Sequence, residues 1–231
     1  MLSRRIGVVT PVSHLNGIRE LLDTKGEVFY GESFNKEQVR DLILNNNLDT
    51  LVCNPNKQTY VIDEELLKET NIKTINTCST GLNHIDLDYC KDNDIEIQCH
   101  KNDLELINQL PSTSELAFGL MVSLLRKIPD SNIHVKSGGW DYTKFMGRQI
   151  KDLNIGIVGY GRLGKMMDRF CKAFEANTFI YDPYVDIQQT SLEEMFKKCD
   201  VVSLHVHVSQ ETKYMINEGL LGLMKKMLLM L

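Results

Sequence analysis

The sequence has no surplus of basic residues, no cysteine pair at metal-ligand spacing and no long apolar run, and each shortfall removes a class of function. A formal net charge of −5 leaves no basic face for a phosphate backbone, which excludes nucleic acid and points to a small-molecule partner. The six cysteines, at positions 53, 78, 90, 99, 171 and 199, form no CxxC pair. Most sit inside apolar stretches, the pattern of reduced, buried thiols in a cytoplasmic protein rather than of a disulfide framework. The apolar run at 6–9, behind Arg4 and Arg5, is broken by Thr10-Pro11; it is too short for a signal peptide and suits a first strand. Charged residues at 25% and apolar residues at 42% are the balance of a globular protein, not of a membrane or disordered one.

Across the 231 residues, short β-rich runs alternate with segments of helical period, the sequence form of a parallel α/β sheet. Two such series occur, enough for two cores. The first predicts strands at 6–10, 27–30, 50–54, 73–77 and 95–99, with helices near 14–24, 36–46, 63–70 and 86–93. A long helix is expected over 112–128, after Pro111, with Ser112 as N-cap and Glu115 at capping-box spacing. Its body, 116–125, is apolar on nearly every face, so burial between domains or against a partner chain is expected. Ser137-Gly-Gly-Trp140 reads either as a loop embracing a second subunit or as a Trp packed on its own domain.

The second series opens with the strand 154–158, followed at once by Gly159-Tyr-Gly-Arg-Leu-Gly164 and an amphipathic helix over 165–174. The next strand, 178–181, ends on Asp182. A lone GxGxxG is weak, but here it fills the turn between strand and helix with an acidic residue at the tip of the following strand, as dinucleotide binding requires. Gly159 permits the tight turn, Gly161 admits the pyrophosphate, and Gly164 lets helix and strand approach. The diphosphate would rest on free N–H groups near Arg162 and Leu163. Asp182 would accept from the adenine-ribose hydroxyls, which favours NAD over NADP. His205 and His207, two apart at the end of a third strand over 201–205, invite a metal reading, yet no third ligand lies nearby; a cofactor-facing His205 beside a solvent-facing His207 is preferred. His84, His100 and His134 lack a partner constellation and read as surface or capping residues.

Gly156-Ile-Val-Gly-Tyr-Gly-Arg-Leu-Gly164, Ala173-Phe174 and Tyr181-Asp-Pro-Tyr184 resemble the NAD-binding signature of the D-isomer-specific 2-hydroxyacid dehydrogenases, the family of phosphoglycerate dehydrogenase. Thr80-Gly81-Leu-Asn-His-Ile-Asp-Leu87 is similar to the family's substrate loop, Ser114-Glu-Leu-Ala-Phe-Gly119 to its interdomain helix, and Asp200-Val-Val-Ser-Leu-His-Val206 to a later strand. The resemblance implies a flavodoxin-like substrate domain over 1–104 and a Rossmann NAD-binding domain over 105–231, both with parallel sheets. It implies backbone contacts from Thr80 and Gly81 to the carboxylate of a 2-hydroxy or 2-keto acid, with Thr80 also near the nicotinamide. Arg162 and Leu163 would hold the pyrophosphate, Asp182 the ribose, and His205 and Val206 the cofactor's flank. A homodimer through the 112–140 region is expected.

Departures from the family pattern matter equally. Glu175 stands where the family usually has Gly, and His207 where it usually has Pro. Cys53 takes the place of an anion-contacting Arg of phosphoglycerate-type members, which speaks against a phosphorylated substrate. The family's catalytic Arg, Glu and His all lie beyond the helix containing Met224. There this chain reads Met227-Leu-Leu-Met-Leu231, so no catalytic residue is assigned. A NAD domain truncated after its third strand and following helix is expected, with one edge of its first strand uncovered. A reading-frame slip in an adenine run encoding Met224-Lys-Lys-Met227 would account for the ending, since restoring one adenine can give Met-Lys-Lys-Asn-Val-Ile. Three readings stay open: a dehydrogenase fragment inactive by itself, a non-enzymatic NAD-responsive binding protein of corepressor type, and a remnant without ligand.

Overall fold

In a computed structural model describing residues 4–55, 59–225 and 229–230, the chain divides into two compact units, 1–107 and 108–231. The division falls after Ile107, where the sequence pattern suggested Leu104.

The first unit alternates strand and helix: β1 (Arg4–Val8), α1 (Ile18–Asp23), β2 (Gly26–Tyr30), α2 (Lys36–Asn45), β3 (Thr50–Cys53), α3 (Glu64–Leu67), β4 (Thr74–Thr77), α4 (Leu87–Asp92) and β5 (Glu96–Cys99), before α5 (Leu104–Asn108) at the division. Helix starts are written locally. Asn35 and Gln38 form a reciprocal capping box at α2, while Asp63 and Asp86 accept from Leu66 N–H and Tyr89 N–H at α3 and α4. All strands pair in parallel in the order β2-β1-β3-β4-β5, the flavodoxin-like order. Val39 and Ile43 of α2, Leu51 of β3, Leu66 of α3 and Ile75 of β4 close the core.

The second unit begins with α6 (Ser112–Leu125) and α7 (Ile128–Lys136), then β6 (Asn154–Val158), α8 (Arg162–Ala173), β7 (Asn177–Tyr181), α9 (Leu192–Lys198), β8 (Val201–Leu204), α10 (Glu218–Gly222) and β9 (Leu229–Met230). Several expectations are corrected here. The N-cap of α6 is Pro111, with no side-chain cap bond, so the Ser112–Glu115 capping box does not form; Ser112 already lies inside the helix. The helix stops at Leu125 because Lys127 turns left-handed, with φ 52°, and opens the separate helix α7. Within this single chain α6 buries only Ser114 and Met121, whereas Leu116, Leu120 and Leu124 are exposed and Trp140 is 93% exposed. The inner face of α6 meets α8 through Phe118, whose ring lies edge-on 5.9 Å from Phe170 and tilted 5.0 Å from Phe174 at the helix end.

The sheet order is β7-β6-β8-β9. β6 is therefore paired on both sides, with β7 and with β8, and no edge of it is uncovered. The strand order reverses between β6 and β8, which provides the switch point where open α/β sheets bind ligands. A fourth strand also exists, since Leu229 pairs with Val201 and Met230 with Val202. The expected truncation after three strands thus does not describe the sheet. Of the unusual ending, positions 227, 228 and 231 lie outside the described residues, as does Lys226.

Candidate dinucleotide turn and substrate loop

The strand β6 is made of Asn154, Ile155, Gly156, Ile157 and Val158, the last four of them buried, and it delivers the chain to a turn whose three glycines meet different demands. Gly159 has φ +90°, and a Cβ there would lie 2.7 Å from the His205 carbonyl oxygen and 2.9 Å from Val206 Cγ1. Only glycine suits a left-handed residue with that neighbour. At Gly164 a Cβ would overlap the Gly159 carbonyl oxygen, while at Gly161 it would meet nothing within 4 Å. Gly161 is the N-cap of α8, and the first intrahelical bond runs from Lys165 N–H to Gly161 O at 3.0 Å. The Leu163 and Gly164 N–H groups have no protein acceptor among the described residues, which leaves them as donors at the start of α8, the usual place for an anion.

Asp182 ends β7 beside this turn. One carboxylate oxygen accepts from Tyr160 N–H at 2.7 Å and the other from Tyr184 N–H at 3.0 Å. A carboxylate has about four acceptor positions, so two remain for a diol. The tyrosine between the glycines is held at its other end, its hydroxyl donating to buried Asp168 at 2.6 Å while Lys172 Nζ lies 2.8 Å from the same oxygen. Burial works to raise the Asp168 carboxyl, but Lys172 and Tyr160 hold it below the usual carboxylate range. Bonding to Asp168, together with burial, pushes the Tyr160 hydroxyl up to about 12. Arg162 reaches back, Nη1 donating to Leu110 O at 2.7 Å, and Leu163 O accepts from buried Ser114 Oγ at 3.0 Å. The start of α8 is thereby tied to α6.

His205 follows β8 across the switch point. Its N–H donates to Val158 O at 2.7 Å and its ring folds back so that Nε2 lies 2.9 Å from Ser203 Oγ; burial lowers its pKa. Gly159, His205 and Val206 are thus brought into one wall. His207 is exposed, with its carbonyl accepting from Thr212 Oγ1. Among the described residues no group of three or more metal-ligating side chains forms, and none of their helices is long and apolar enough to cross a membrane.

Thr80 and Gly81 belong to the first unit, on the loop after β4. Their N–H groups have no acceptor among the described residues, and the loop is held from beneath, Ser79 Oγ donating to Gly81 O at 2.8 Å. Here the reading of His84 as a surface residue is wrong. It is 7% exposed, with Nε2 2.9 Å from Thr77 Oγ1 and 3.8 Å from Cys53 Sγ, and burial lowers its pKa. The sequence carried one faint signal, hydroxyls at 77 and 79 leading into the His. Cys53 is buried at the end of β3, and burial pushes its thiol up to about 12.

The description "D-isomer specific 2-hydroxyacid dehydrogenase, NAD binding domain" belongs to a family model that matches residues 118–231, and the model of the same family's catalytic domain matches residues 8–99. A D-3-phosphoglycerate dehydrogenase from Methanocaldococcus jannaschii is 29% identical over 95% of this chain and 42% of its own length. A hydroxypyruvate reductase from Thermotoga maritima is 27% identical over 89% of this chain and 66% of its own. Among solved structures, a D-lactate dehydrogenase from Aquifex aeolicus complexed with NAD and lactic acid superposes with a TM-score of 0.77 at 25% identity, covering 96% of this chain and 66% of that one. The chain therefore spans less than half the length of the phosphoglycerate dehydrogenase it matches.

Proposed function

The chain belongs to the D-isomer-specific 2-hydroxyacid dehydrogenase family, and on that premise we propose that it serves an NAD(H)-dependent oxidoreductase interconverting a 2-hydroxy acid and a 2-keto acid. The observation that carries the reading is the turn after β6: open space over Gly161, unpaired N–H groups at the start of α8, and the Asp182 carboxylate bonded to Tyr160 N–H. These residues fit a dinucleotide. The Leu163 and Gly164 N–H groups hold its pyrophosphate beside Arg162, Asp182 takes the adenine-ribose hydroxyls, and the wall of Gly159, His205 and Val206 lies along its flank. When bound, the cofactor accepts or supplies the hydride. In the first unit the Thr80 and Gly81 N–H groups are the donors for the substrate carboxylate. Neutral, buried Cys53 puts no cation beside that loop, which favours an unphosphorylated acid.

Proton transfer and a cationic clamp on the substrate are required as well. In the family resemblance they come from Arg, Glu and His residues that positions 1–231 do not supply. The polypeptide 1–231 therefore binds cofactor and acid weakly and turns neither over. It pairs with a second copy through the exposed apolar stripe of Leu116, Leu120 and Leu124 and through exposed Trp140, and with its described cysteines unpaired it works in the cytoplasm. Titration calorimetry tests the reading: ADP-ribose and NAD bind 1–231 with similar affinity, and Asp182→Asn narrows the preference for NAD over NADP by roughly tenfold, the equivalent of about 1.4 kcal/mol. A folded sample binding neither at millimolar concentration defeats the proposal. NADH oxidation with pyruvate or glyoxylate by 1–231 overturns the inactivity.

A further inference from the structure

The loop after β4 is carried on a partly buried line of side chains whose protons can be counted. Ser79 Oγ lies 2.8 Å from Gly81 O, and a carbonyl can only accept, so the single Ser79 hydroxyl proton is committed there. Thr77 Oγ1 lies 2.9 Å from Ser79 Oγ; since Ser79 has no second proton, Thr77 donates. Thr77 Oγ1 also lies 2.9 Å from His84 Nε2, and its one proton is now spent, so His84 donates. The count leaves His84 with its proton on Nε2 and a bare lone pair on Nδ1. Nδ1 is buried and without a hydrogen-bond partner among the described residues, which agrees: a second ring proton would have no acceptor there. The ring is anchored through its own backbone, because His84 O accepts from Ile62 N–H at 2.9 Å and Ile85 bridges to Ile62.

We propose that His84 is a positioning residue for the substrate loop: its Nε2–H starts a one-way chain through Thr77 and Ser79 to the Gly81 carbonyl, which turns that carbonyl inward and leaves the Thr80 and Gly81 N–H groups to take a carboxylate. The carboxylate end of this inference rests on the proposed function; the relay does not. Bonds pointing one way polarise each other, so a break anywhere frees the whole loop. No proton is transferred along the line, and the Cys53 thiol beside the ring stays protonated as a packing partner.

The test uses the 231-residue chain labelled with nitrogen-15. The imidazole resonances of His84 show Nε2 protonated and Nδ1 bare, and Thr77→Val and Ser79→Ala each move the Thr80 and Gly81 amide signals. D-lactate, titrated as the probe, shifts those two amides in the wild type. Each single variant weakens its binding by roughly tenfold, while the double variant is no weaker than either single one, because both break the same chain. His84→Gln, which keeps an amide donor, restores binding that His84→Leu loses; loss of packing alone predicts no such difference. A proton on Nδ1, or amides unmoved by Thr77→Val in a folded protein, overturns the relay. If D-lactate leaves the wild-type amides unmoved, the carboxylate reading falls instead, and the tautomer and the variant shifts decide the relay without it.

Discussion

Gly161 and Gly164 share one turn, yet the backbone asks different things of them. A methyl at 164 drives into the Gly159 carbonyl, whereas a methyl at 161 enters the space where a pyrophosphate would lie. Gly164→Ala is therefore expected to destabilise the second unit by about 2 kcal/mol or more, as overpacking against backbone does. Gly161→Ala should change stability by less than about 1 kcal/mol, the range of N-cap substitutions from glycine, while ADP-ribose binding is lost. Urea denaturation and calorimetry on both variants separate the two roles. If Gly161→Ala binds ADP-ribose like the wild type, the pyrophosphate does not lie over that residue.

Helix ends and strand ends show where this chain departs from its family. Glu175, just past α8, holds φ 62° at a position where the family resemblance expects glycine. A side chain in that region costs about 1–2 kcal/mol, partly offset by the chain entropy glycine adds to the unfolded state. Glu175→Gly is thus expected to raise stability by about 0.5–1 kcal/mol, and a lower urea midpoint would count against it. Two residues past β2, Glu32 fastens the loop after β1 by accepting from Ser13 N–H at 3.2 Å, Ser13 Oγ at 2.8 Å and Arg19 Nη2 at 2.5 Å. Burial pushes the Glu32 carboxyl up, but these donors outweigh it and hold the group at about 2. The folded state therefore binds this proton less readily than the unfolded chain, whose Glu titrates near 4.3. The stabilisation is complete above that value and is lost as pH falls toward 2. Compared by denaturation, Glu32→Gln should trail the wild type at pH 6 and close the gap steadily below about pH 4.5; a pH-independent gap would refute the charged clamp.

For the whole molecule the open question is what covers α6. Leu116, Leu120 and Leu124 recur every four residues and form one exposed stripe, a spacing that puts them on a single helix face. Trp140 is almost wholly exposed as well, and a row of exposed leucines on one helix face is the kind of apolar surface that marks an interaction site. Sedimentation is expected to show a dimer for the wild type and a monomer for Leu120→Asp, with circular dichroism unchanged. A monomeric wild type sinks the proposal.

What the sequence by itself determined was local: strand and helix order from periodicity, and the glycine turn with Asp182 after it. Each depends on residues a few positions apart, where spacing in the chain is nearly spacing in space. Helix ends were less legible. Ser112 looked like a cap, but it is the first helical residue and the prolyl residue before it takes the cap position. Tertiary structure alone decided the rest. The sheet order put β8 beside β6, so that His205, 46 residues beyond Gly159, closes the switch point, because strand pairing is chosen by burial of whole faces and not by chain distance. It likewise sank His84 under the loop after β4. A histidine's burial depends on what β3 and β4 bring over it, and Cys53 and Thr77, on those two strands, stand 31 and 7 residues away along the chain.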